Sequence, residues 1–252
     1  MSGHSKWSTI KRKKAVNDAR RGKMFTKLAR DITIAAREGG GDEEMNVSLR
    51  LAVEKAKAAN MPKDNIERAV KRGTGELKDQ AEFEEQMYEA YGPSGVALII
   101  EVMTDNRNRT VADLKHVMSR SGGNMAEPGS VAWQFEQKGY ITIPAEAHAF
   151  DDVFLIAAES GAEDVVDGDD FMEIYTPREA LHDVLNALND AGLKIDEARL
   201  DWVPKVSIDL EPDPATKVMG LIEEIEDLDD TQQVYSNLNV TDELMAAFEA
   251  AS

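Results

Sequence analysis

Cysteine is missing from this sequence of 252 residues, and aromatic residues make up only 6% of it. Without cysteine the chain has no disulfide, no thiolate nucleophile and no cysteine-based zinc site, which fits a reducing cytoplasm. The histidines His4, His116, His148 and His182 lack the spacing of metal ligands. No apolar run approaches the roughly 18 to 20 residues of a membrane helix. We therefore expect a cytoplasmic protein with no metal, no cofactor and no membrane partner.

Motifs of catalytic centres are also missing. The sequence has no nucleophile elbow, no kinase-type motif and no phosphate-binding glycine loop. The carboxylates Asp164, Asp167, Asp169 and Asp170 could hold a cation, but a solvated hairpin is the simpler interpretation. We therefore expect no catalytic residue, no small-molecule substrate and no enzymatic activity.

Charge is what the sequence has in abundance, and it is divided unevenly. The formal net charge is -19. Residues 1–72 hold 18 Lys/Arg against 9 Asp/Glu, a net charge of +9, whereas residues 73–252 hold 11 against 39, a net charge of -28. A basic module on an acidic body can bind a polyanion at one end while the body is repelled. This division favours a nucleic-acid partner.

The basic module begins with a segment, about 3–21, that has no apolar periodicity and cannot bury a core. A helix is predicted at about 17–37, with Phe25, Leu28 and Ile32 on its apolar face. Arg20, Lys23, Lys27, Arg30 and Arg37 fall on the opposite face. The expected nucleic-acid contacts of the module are His4, Lys6, Trp7, Lys11, Arg12, Lys13, Lys14, Arg20, Arg21, Lys23, Lys27 and Arg30. The alternative is a solvated helix face with a mobile tail.

A second candidate site is the stretch "TDNRNRTVADL" from Thr104, at a predicted strand-to-helix junction. Arg107 and Arg109 could bind phosphate there, because guanidinium groups form paired hydrogen bonds with it. The alternative is that Asp105, Asn106 or Asn108 caps the helix and both arginines pair with the acidic body. The glycine-rich loop "SRSGGNMAEPGS" from Ser119 is either a simple turn or a contact for a partner.

The pattern of elements predicts an α+β fold with three domains. Helices at about 46–59 and 62–72 complete a basic helical domain over residues 1–80. Strand and helix patterns then follow as β-α-β-β-α-β over residues 139–204, the order of a ferredoxin-like domain. Two α+β lobes therefore fit residues 81–252.

Several long blocks resemble the YebC family, also called the YebC/PmpR family. They are "MSGHSKWSTIKRKKAVNDARRGKMFTKLARDI" at 1–32, "NMPKDNIERAVKRGTG" at 60–75, "YEAYGPSGVALIIE" at 88–101, "TDNRNRTVADLKHVMSRSGGN" at 104–124 and "GSVAWQFEQKG" at 129–139. The resemblance implies that the ferredoxin-like third domain is inserted into the second, which then comprises residues 81–138 and 205–252. It also implies regulation of gene expression, because bacterial members are described as DNA-binding transcriptional regulators and mitochondrial members as translational activators.

Two functions follow as hypotheses. The preferred one, with the family's link to ribosomes, is a translation factor that binds ribosomal RNA or tRNA and relieves stalling at proline-rich stretches, with ribosomal proteins as further partners. The alternative is a DNA-binding transcriptional regulator. A third hypothesis is a module that binds only proteins, through its acidic lobes. It accounts least well for the uneven division of charge.

Overall fold

The computed structural model describes residues 18–77, 83–168 and 170–251, with side chains between residues 24 and 250 of those ranges. Its helices are α1 Asp18–Gly39, α2 Val47–Ala58, α3 Lys63–Gly73, α4 Arg107–Arg120, α5 Phe150–Ser160, α6 Leu181–Asp190, α7 Pro212–Glu226 and α8 Asp242–Ala251. Its strands are β1 Glu84–Tyr91, β2 Ala97–Thr104, β3 Asn124–Met125, β4 Phe135–Pro144, β5 Asp164–Asp167, β6 Phe171–Pro177, β7 Glu197–Pro204 and β8 Thr231–Ser236.

The first three helices form a bundle because each presents one apolar face to the others. Asn46 caps α2: its side chain accepts a hydrogen bond from the Leu49 N–H at 3.0 Å and donates one to the Ala35 carbonyl at 2.7 Å. The end of α3 approaches α1 closely, so that a Cβ added at Gly73 would lie 2.4 Å from the Thr33 carbonyl oxygen. The bundle core includes Leu28, Ile32, Ala36, Val53, Ala56, Ile66 and Ala69.

The first sheet has the strand order β3-β1-β2-β8, and its neighbouring strands are antiparallel. Helices α4, α7 and α8 cover one face of it. Strand β2 is buried almost throughout, because its other face also packs against protein, and it therefore lacks the alternation of a half-exposed strand. The main core between this sheet and its helices includes Leu98, Ile100, Leu114, Met118, Val218, Ile222, Val234 and Phe248.

The second sheet has the order β5-β6-β4-β7, again antiparallel, with α5 and α6 on one face. With α5 after β4 and α6 after β6, this is the ferredoxin-like arrangement. The whole unit lies in the chain between β3 and β8, two strands of the first sheet. The α+β class and the inserted ferredoxin-like lobe are therefore confirmed, while the exact domain boundaries stay a prediction.

Some elements differ from the sequence prediction. The apolar residues of "SVAWQF" at 130–135 indicate a strand, but Ala132–Gln134 forms a 3-10 turn and the strand begins at Phe135. The pattern of residues after 204 also indicates a strand-helix-strand unit, but the strand before α7 is reduced to a single bridge between Ile208 and Leu238. Helix α8 was not predicted; its residues Leu244 and Phe248 close the core of the first sheet.

Candidate nucleic-acid interface

Ten of the twelve expected contacts in the basic module have side chains outside the described part of the structure. His4, Lys6, Trp7, Lys11, Arg12, Lys13 and Lys14 lie outside the described residues. Arg20, Arg21 and Lys23 belong to α1, but their side chains are also outside the described part. For these residues, nucleic-acid binding stays a prediction from charge.

Lys27 and Arg30 are the two expected nucleic-acid contacts of α1 whose side chains are described, and both face the second domain instead of solvent. The Lys27 ammonium group donates a hydrogen bond to the carbonyl oxygen of Glu226, the last residue of α7. Arg30 is only 6% exposed, and its Nη2 donates to Asp230 Oδ1 at 2.9 Å. The helical wheel placed Arg30 on an outward face, and this is corrected: a single-helix pattern cannot show that a second domain covers that face.

Asp230, between α7 and β8, is the centre of a buried polar cluster. Arg109 donates to both carboxylate oxygens through Nη2, at 2.9 and 2.8 Å. The hydroxyls of Thr110 and Thr104 donate to Oδ2 at 2.7 and 3.1 Å. Burial opposes ionisation of Asp230, but the Thr110 and Arg109 hydrogen bonds and the charges of Arg109 and Arg30 outweigh it and lower its pKa. One carboxylate thus holds arginines from two domains.

The junction between β2 and α4 is organised by capping. Asn106 is the N-cap, and its side chain accepts a hydrogen bond from the Arg109 N–H at 3.1 Å. Arg107 Nη2 lies 2.5 Å from Glu84 Oε2 on β1, and Arg109 Nη2 lies 3.1 Å from Asp105 Oδ1. The capping and pairing alternative therefore describes this structure. Phosphate binding by Arg107 and Arg109 stays a prediction, supported only by the exposed parts of both side chains.

Sequence reasoning missed Arg72 and Phe83, which lie beside the Asp230 cluster. The Arg72 guanidinium lies over the Phe83 ring at 3.5 Å from its centroid, and that of Arg30 lies 5.3 Å from the same centroid. Arg72 occupies the last turn of α3, within the block 60–75, so its position in a basic turn was a usable signal. The aromatic contact was not, because Phe83 belongs to another domain.

The glycine-rich loop is fixed by a buried carboxylate that was also missed. Glu89 of β1 accepts hydrogen bonds from the backbone N–H groups of Gly129, Val131 and Ala132 at 2.6, 2.5 and 2.9 Å. Burial opposes ionisation of Glu89, but these three bonds outweigh it and lower its pKa. The held loop leads to Trp133, which is 68% exposed. The end of the loop is therefore anchored by Glu89, while its contact with a partner stays a prediction.

A second polar cluster joins all three domains. Glu101 of β2 accepts hydrogen bonds from Trp202 Nε1 at 3.0 Å and from the Tyr235 hydroxyl at 3.1 Å. On β7, Arg199 pairs with Glu197 at 2.5 Å, and Lys55 of α2 pairs with the same Glu197 at 3.0 Å. Burial raises the pKa of Glu101, although the bonds from Trp202 and Tyr235 act against it. Lys55 thus ties the helical domain to the second sheet, and Trp202 ties that sheet to the first.

The described ranges contain no side-chain cluster suited to a metal ion and no helix suited to a membrane. No group of three His, Asp or Glu side chains there could hold a metal ion, and Asp164 and Asp167 are exposed on β5. No described helix is both long and apolar enough to cross a membrane.

This chain is similar to known proteins over its whole length. Residues 5–76 match the family described as "TACO1/YebC protein N-terminal domain", and residues 83–238 match "TACO1/YebC second and third domain". A "Probable transcriptional regulatory protein" of Acidithiobacillus ferrooxidans is 53% identical over 252 residues, covering 100% of both chains. One of the same description from Chloroflexus aurantiacus is 53% identical, covering 99% of this chain and 100% of the other.

A solved structure is also similar. The crystal structure of a conserved hypothetical protein from Aquifex aeolicus superposes with a TM-score of 0.79 at 45% identity, covering 88% of this chain and 91% of the other.

Proposed function

Because the chain belongs to the TACO1/YebC family, we propose that it is a non-enzymatic regulator of gene expression that binds nucleic acid through its basic N-terminal module. The observation that carries the proposal is the charge division, with +9 on residues 1–72 and -28 on residues 73–252. Phosphate attracts the first part and repels the second, so the bound molecule has one favoured orientation.

RNA on the ribosome is the preferred target. A basic segment that carries one tryptophan suits irregular and single-stranded RNA, where a ring stacks on an unpaired base. In this reading the protein is a cytoplasmic translation factor that relieves stalling at difficult stretches such as proline runs. Its acidic lobes face away from phosphate or toward basic ribosomal proteins.

DNA-bound transcriptional regulation is the second candidate, favoured by the names of the relatives. A recognition helix in the major groove reads base edges while surrounded by phosphate. Helix α3, which follows α2 after a short turn, exposes Asp64 and Glu67 among its basic residues. This makes α3 a poor groove reader and keeps DNA in second place.

The target is tested by crosslinking in cells, followed by sequencing of both the bound RNA and the bound DNA. Enrichment of ribosomal RNA or tRNA is the expected result. Discrete promoter peaks without ribosomal RNA would favour the second candidate. The absence of both RNA and DNA enrichment would contradict the proposed function.

The basic module is tested in vitro with two variants of the whole chain. The first changes Lys11, Arg12, Lys13 and Lys14 to Gln; the control changes the exposed Lys115, Arg120, Lys194 and Lys217 of the acidic body to Gln. Both lose four positive charges. Only the first should weaken binding of a labelled RNA and lower the slope of log K against log salt, by up to about 3. Equal losses in both variants would show that the module is not the binding site.

A further inference from the structure

The two helices that cover the second sheet differ in the side chains they turn to solvent. Helix α5 exposes two large apolar side chains on consecutive positions, Phe154 at 47% and Leu155 at 57%. A helix that packs on a sheet ordinarily keeps such residues on its inner face. The exposed side chains of α6, in contrast, are all polar: His182, Asp183, Asn186 and Asp190.

The core of the ferredoxin-like lobe is complete without this apolar pair. Val153 and Ala157 of α5 are fully buried in that core, and Phe150 packs against it. At 100° per residue, Phe154 and Leu155 point away from Val153 and Ala157. The Phe154 ring has its centroid 5.9 Å from that of Phe150, so the inner ring supports the outer one. The apolar pair is therefore an ordered feature of the surface.

Three carboxylates lie around the apolar pair. Asp151 and Asp152 occupy the first turn of α5 and Glu159 its last turn, and all three are exposed. By the same helical geometry they share an arc of about 160° with Phe154 and Leu155. Helix α5 has no Lys or Arg, and no described residue forms an ion pair with these carboxylates.

The lobe around this helix has the same sign of charge. Residues 139–204 hold 16 Asp/Glu against three Lys/Arg, a net charge of -13. We call Phe154, Leu155, Asp151, Asp152 and Glu159 the α5 face. It combines ordered apolar area with negative charge that the surrounding lobe reinforces.

We propose that the α5 face is a docking surface for a basic segment of a partner protein, in which apolar side chains stand beside Lys or Arg. The apolar side chains of such a segment would bury Phe154 and Leu155, which supplies affinity. Its cations would meet the three carboxylates, which supplies orientation and a faster encounter. Where the partner is a ribosomal protein, the inference rests on the proposed function; a basic segment of another protein has the same chemistry.

Other occupants fit the charge of the α5 face less well. Nucleic acid and anionic lipid would be repelled by its carboxylates and by the lobe of net charge -13. A second copy of this chain, bound through the same face, would bring like charges together. A basic protein segment has the opposite sign and can also cover the apolar pair.

The first test measures binding of two synthetic helical peptides to the whole protein. Both peptides carry the same number of Lys on one face; the other face carries Leu in the first peptide and Ser in the second. Phe154→Gln with Leu155→Gln removes the apolar pair. The matched control is Met45→Gln with Val206→Gln, which changes two exposed apolar residues outside the lobe.

The wild type should bind the Leu peptide about tenfold more tightly than the Ser peptide, because only the Leu peptide covers apolar area. The variant of Phe154 and Leu155 should lose this preference, and the control should keep it. The inference is rejected if the wild type shows no preference, or if the variant and the control behave alike.

The carboxylates are tested with a second pair of variants, which also serves if the first variant does not fold. Asp151→Asn, Asp152→Asn and Glu159→Gln together should weaken binding of both peptides and reduce its dependence on salt. The control removes three exposed carboxylates on or beside α6, those of Glu179, Asp183 and Asp190. Equal effects of the two sets would mean that the lobe attracts cations without a defined docking surface.

The occupant is identified in cells by photo-crosslinking from position 155, with position 186 of α6 as the control. Crosslinked peptides should map to a basic protein segment from position 155 alone, and that segment should bind the wild type but not the variant of Phe154 and Leu155. The identity of the segment distinguishes a ribosomal protein from another source. Crosslinks to a second copy, to residues 1–17 of this chain, to lipid or to nucleic acid would overturn the proposal, as would none at all.

RNA binding separates this inference from the proposed function. The variant of Phe154 and Leu155 should bind a labelled RNA as the wild type does, because it changes no charge. Intact RNA binding with failed peptide and crosslinking tests would reject the docking surface while the proposed function stands. Selective peptide binding by a protein that binds neither RNA nor DNA would reject the proposed function while the docking surface stands.

Discussion

Asp230 is the residue on which the contact between the helical domain and the first sheet depends most. Its carboxylate is bonded by Arg30, Arg109, Thr104 and Thr110, and its backbone carbonyl accepts from the Met103 N–H at 2.8 Å. Every one of these partners belongs to α1, β2 or α4. A single short side chain thus connects elements far apart in the chain.

Asp230→Ala should destabilise the protein by about 3–5 kcal/mol, because it leaves the buried Arg30 guanidinium without its carboxylate. Urea unfolding at neutral pH measures the loss. Asp229→Asn, an exposed neighbour, is the control and should change the free energy of unfolding by less than about 0.5 kcal/mol. Similar losses in both variants would contradict the central role of Asp230.

Arg107 and Arg109, which are equivalent in the sequence motif, should separate on mutation. Arg107→Ala removes an exposed ion pair with Glu84 and should cost at most about 1 kcal/mol. Arg109→Ala removes two bonds to a buried carboxylate and should cost about 1–3 kcal/mol. Thermal and urea unfolding check the order, and a larger loss for Arg107→Ala would overturn it.

At the scale of residues, the sequence predicted local interactions such as capping well and the burial of individual side chains poorly. The capping alternative at Asn106 could be read from local spacing, and it describes the structure. The burial of Arg30 could not, because it depends on Asp230, two hundred positions away in the chain. Pairing of charges across such separations leaves no periodic trace.

At the scale of elements, the contact between α1 and α3 depends on a missing side chain. A Cβ on Gly73 would lie 2.4 Å from the Thr33 carbonyl oxygen and 2.7 Å from the Ala36 Cβ, closer than real Cβ atoms approach. The backbones of the two helices therefore meet directly, and neither neighbour is a flexible side-chain end that could move away.

Gly73→Ala should destabilise the helical domain by about 1–3 kcal/mol, because the helices must separate to admit the methyl group. The matched control is Gly220→Ala in α7, where an added Cβ meets nothing within 4 Å. That change should be neutral or stabilise by up to about 1 kcal/mol through helix propensity. Circular dichroism during urea unfolding measures both; a harmless Gly73→Ala would contradict the close approach.

Helix positions were well predicted because apolar residues recur regularly in the amphipathic helices. The predicted 46–59 and 62–72 agree with α2 and α3 to within about one residue at each end. Helix α8 was missed although Leu244 and Phe248 have helical spacing, because its 10 residues repeat the apolar pattern too few times to stand out. The 3-10 turn at Ala132–Gln134 was not predicted because its backbone is held by a hydrogen bond to Glu89 of β1, which is distant in the sequence.

At the scale of the whole molecule, the acidic body should weaken nucleic-acid binding at a distance. The Lys27 bond to the Glu226 carbonyl places the end of α7 beside α1. Neutralising the exposed Glu224 and Asp229 together, as Gln and Asn, should therefore increase RNA affinity at low salt. The gain should vanish at high salt, where the Debye length falls to about 3 Å at 1 M. A gain that is unchanged by salt would point to a local structural effect instead.

The junction of the three domains should respond to pH through Glu101. Because burial raises its pKa above the ordinary value of 4.5, the folded state binds more protons than the unfolded state. This contribution to stability therefore grows as pH falls from neutral toward 4.5 and is lost as pH rises through the raised pKa. Glu101→Gln should remove that gain, which unfolding in urea at several pH values would measure; an unchanged profile would exclude Glu101 as its source.

The insertion of the ferredoxin-like lobe also sets the order in which the chain can fold during its synthesis. Strand β2 ends at Thr104, yet its partner β8 begins only at Thr231. Until then one edge of β2 lacks its native neighbour, and such edges invite pairing with other chains. The inserted lobe, with all its strands between Phe135 and Pro204, can close first. The newly made protein therefore passes through a period in which the inserted lobe is complete while the first sheet, begun earlier, still lacks β8, and in that period it is most exposed to aggregation.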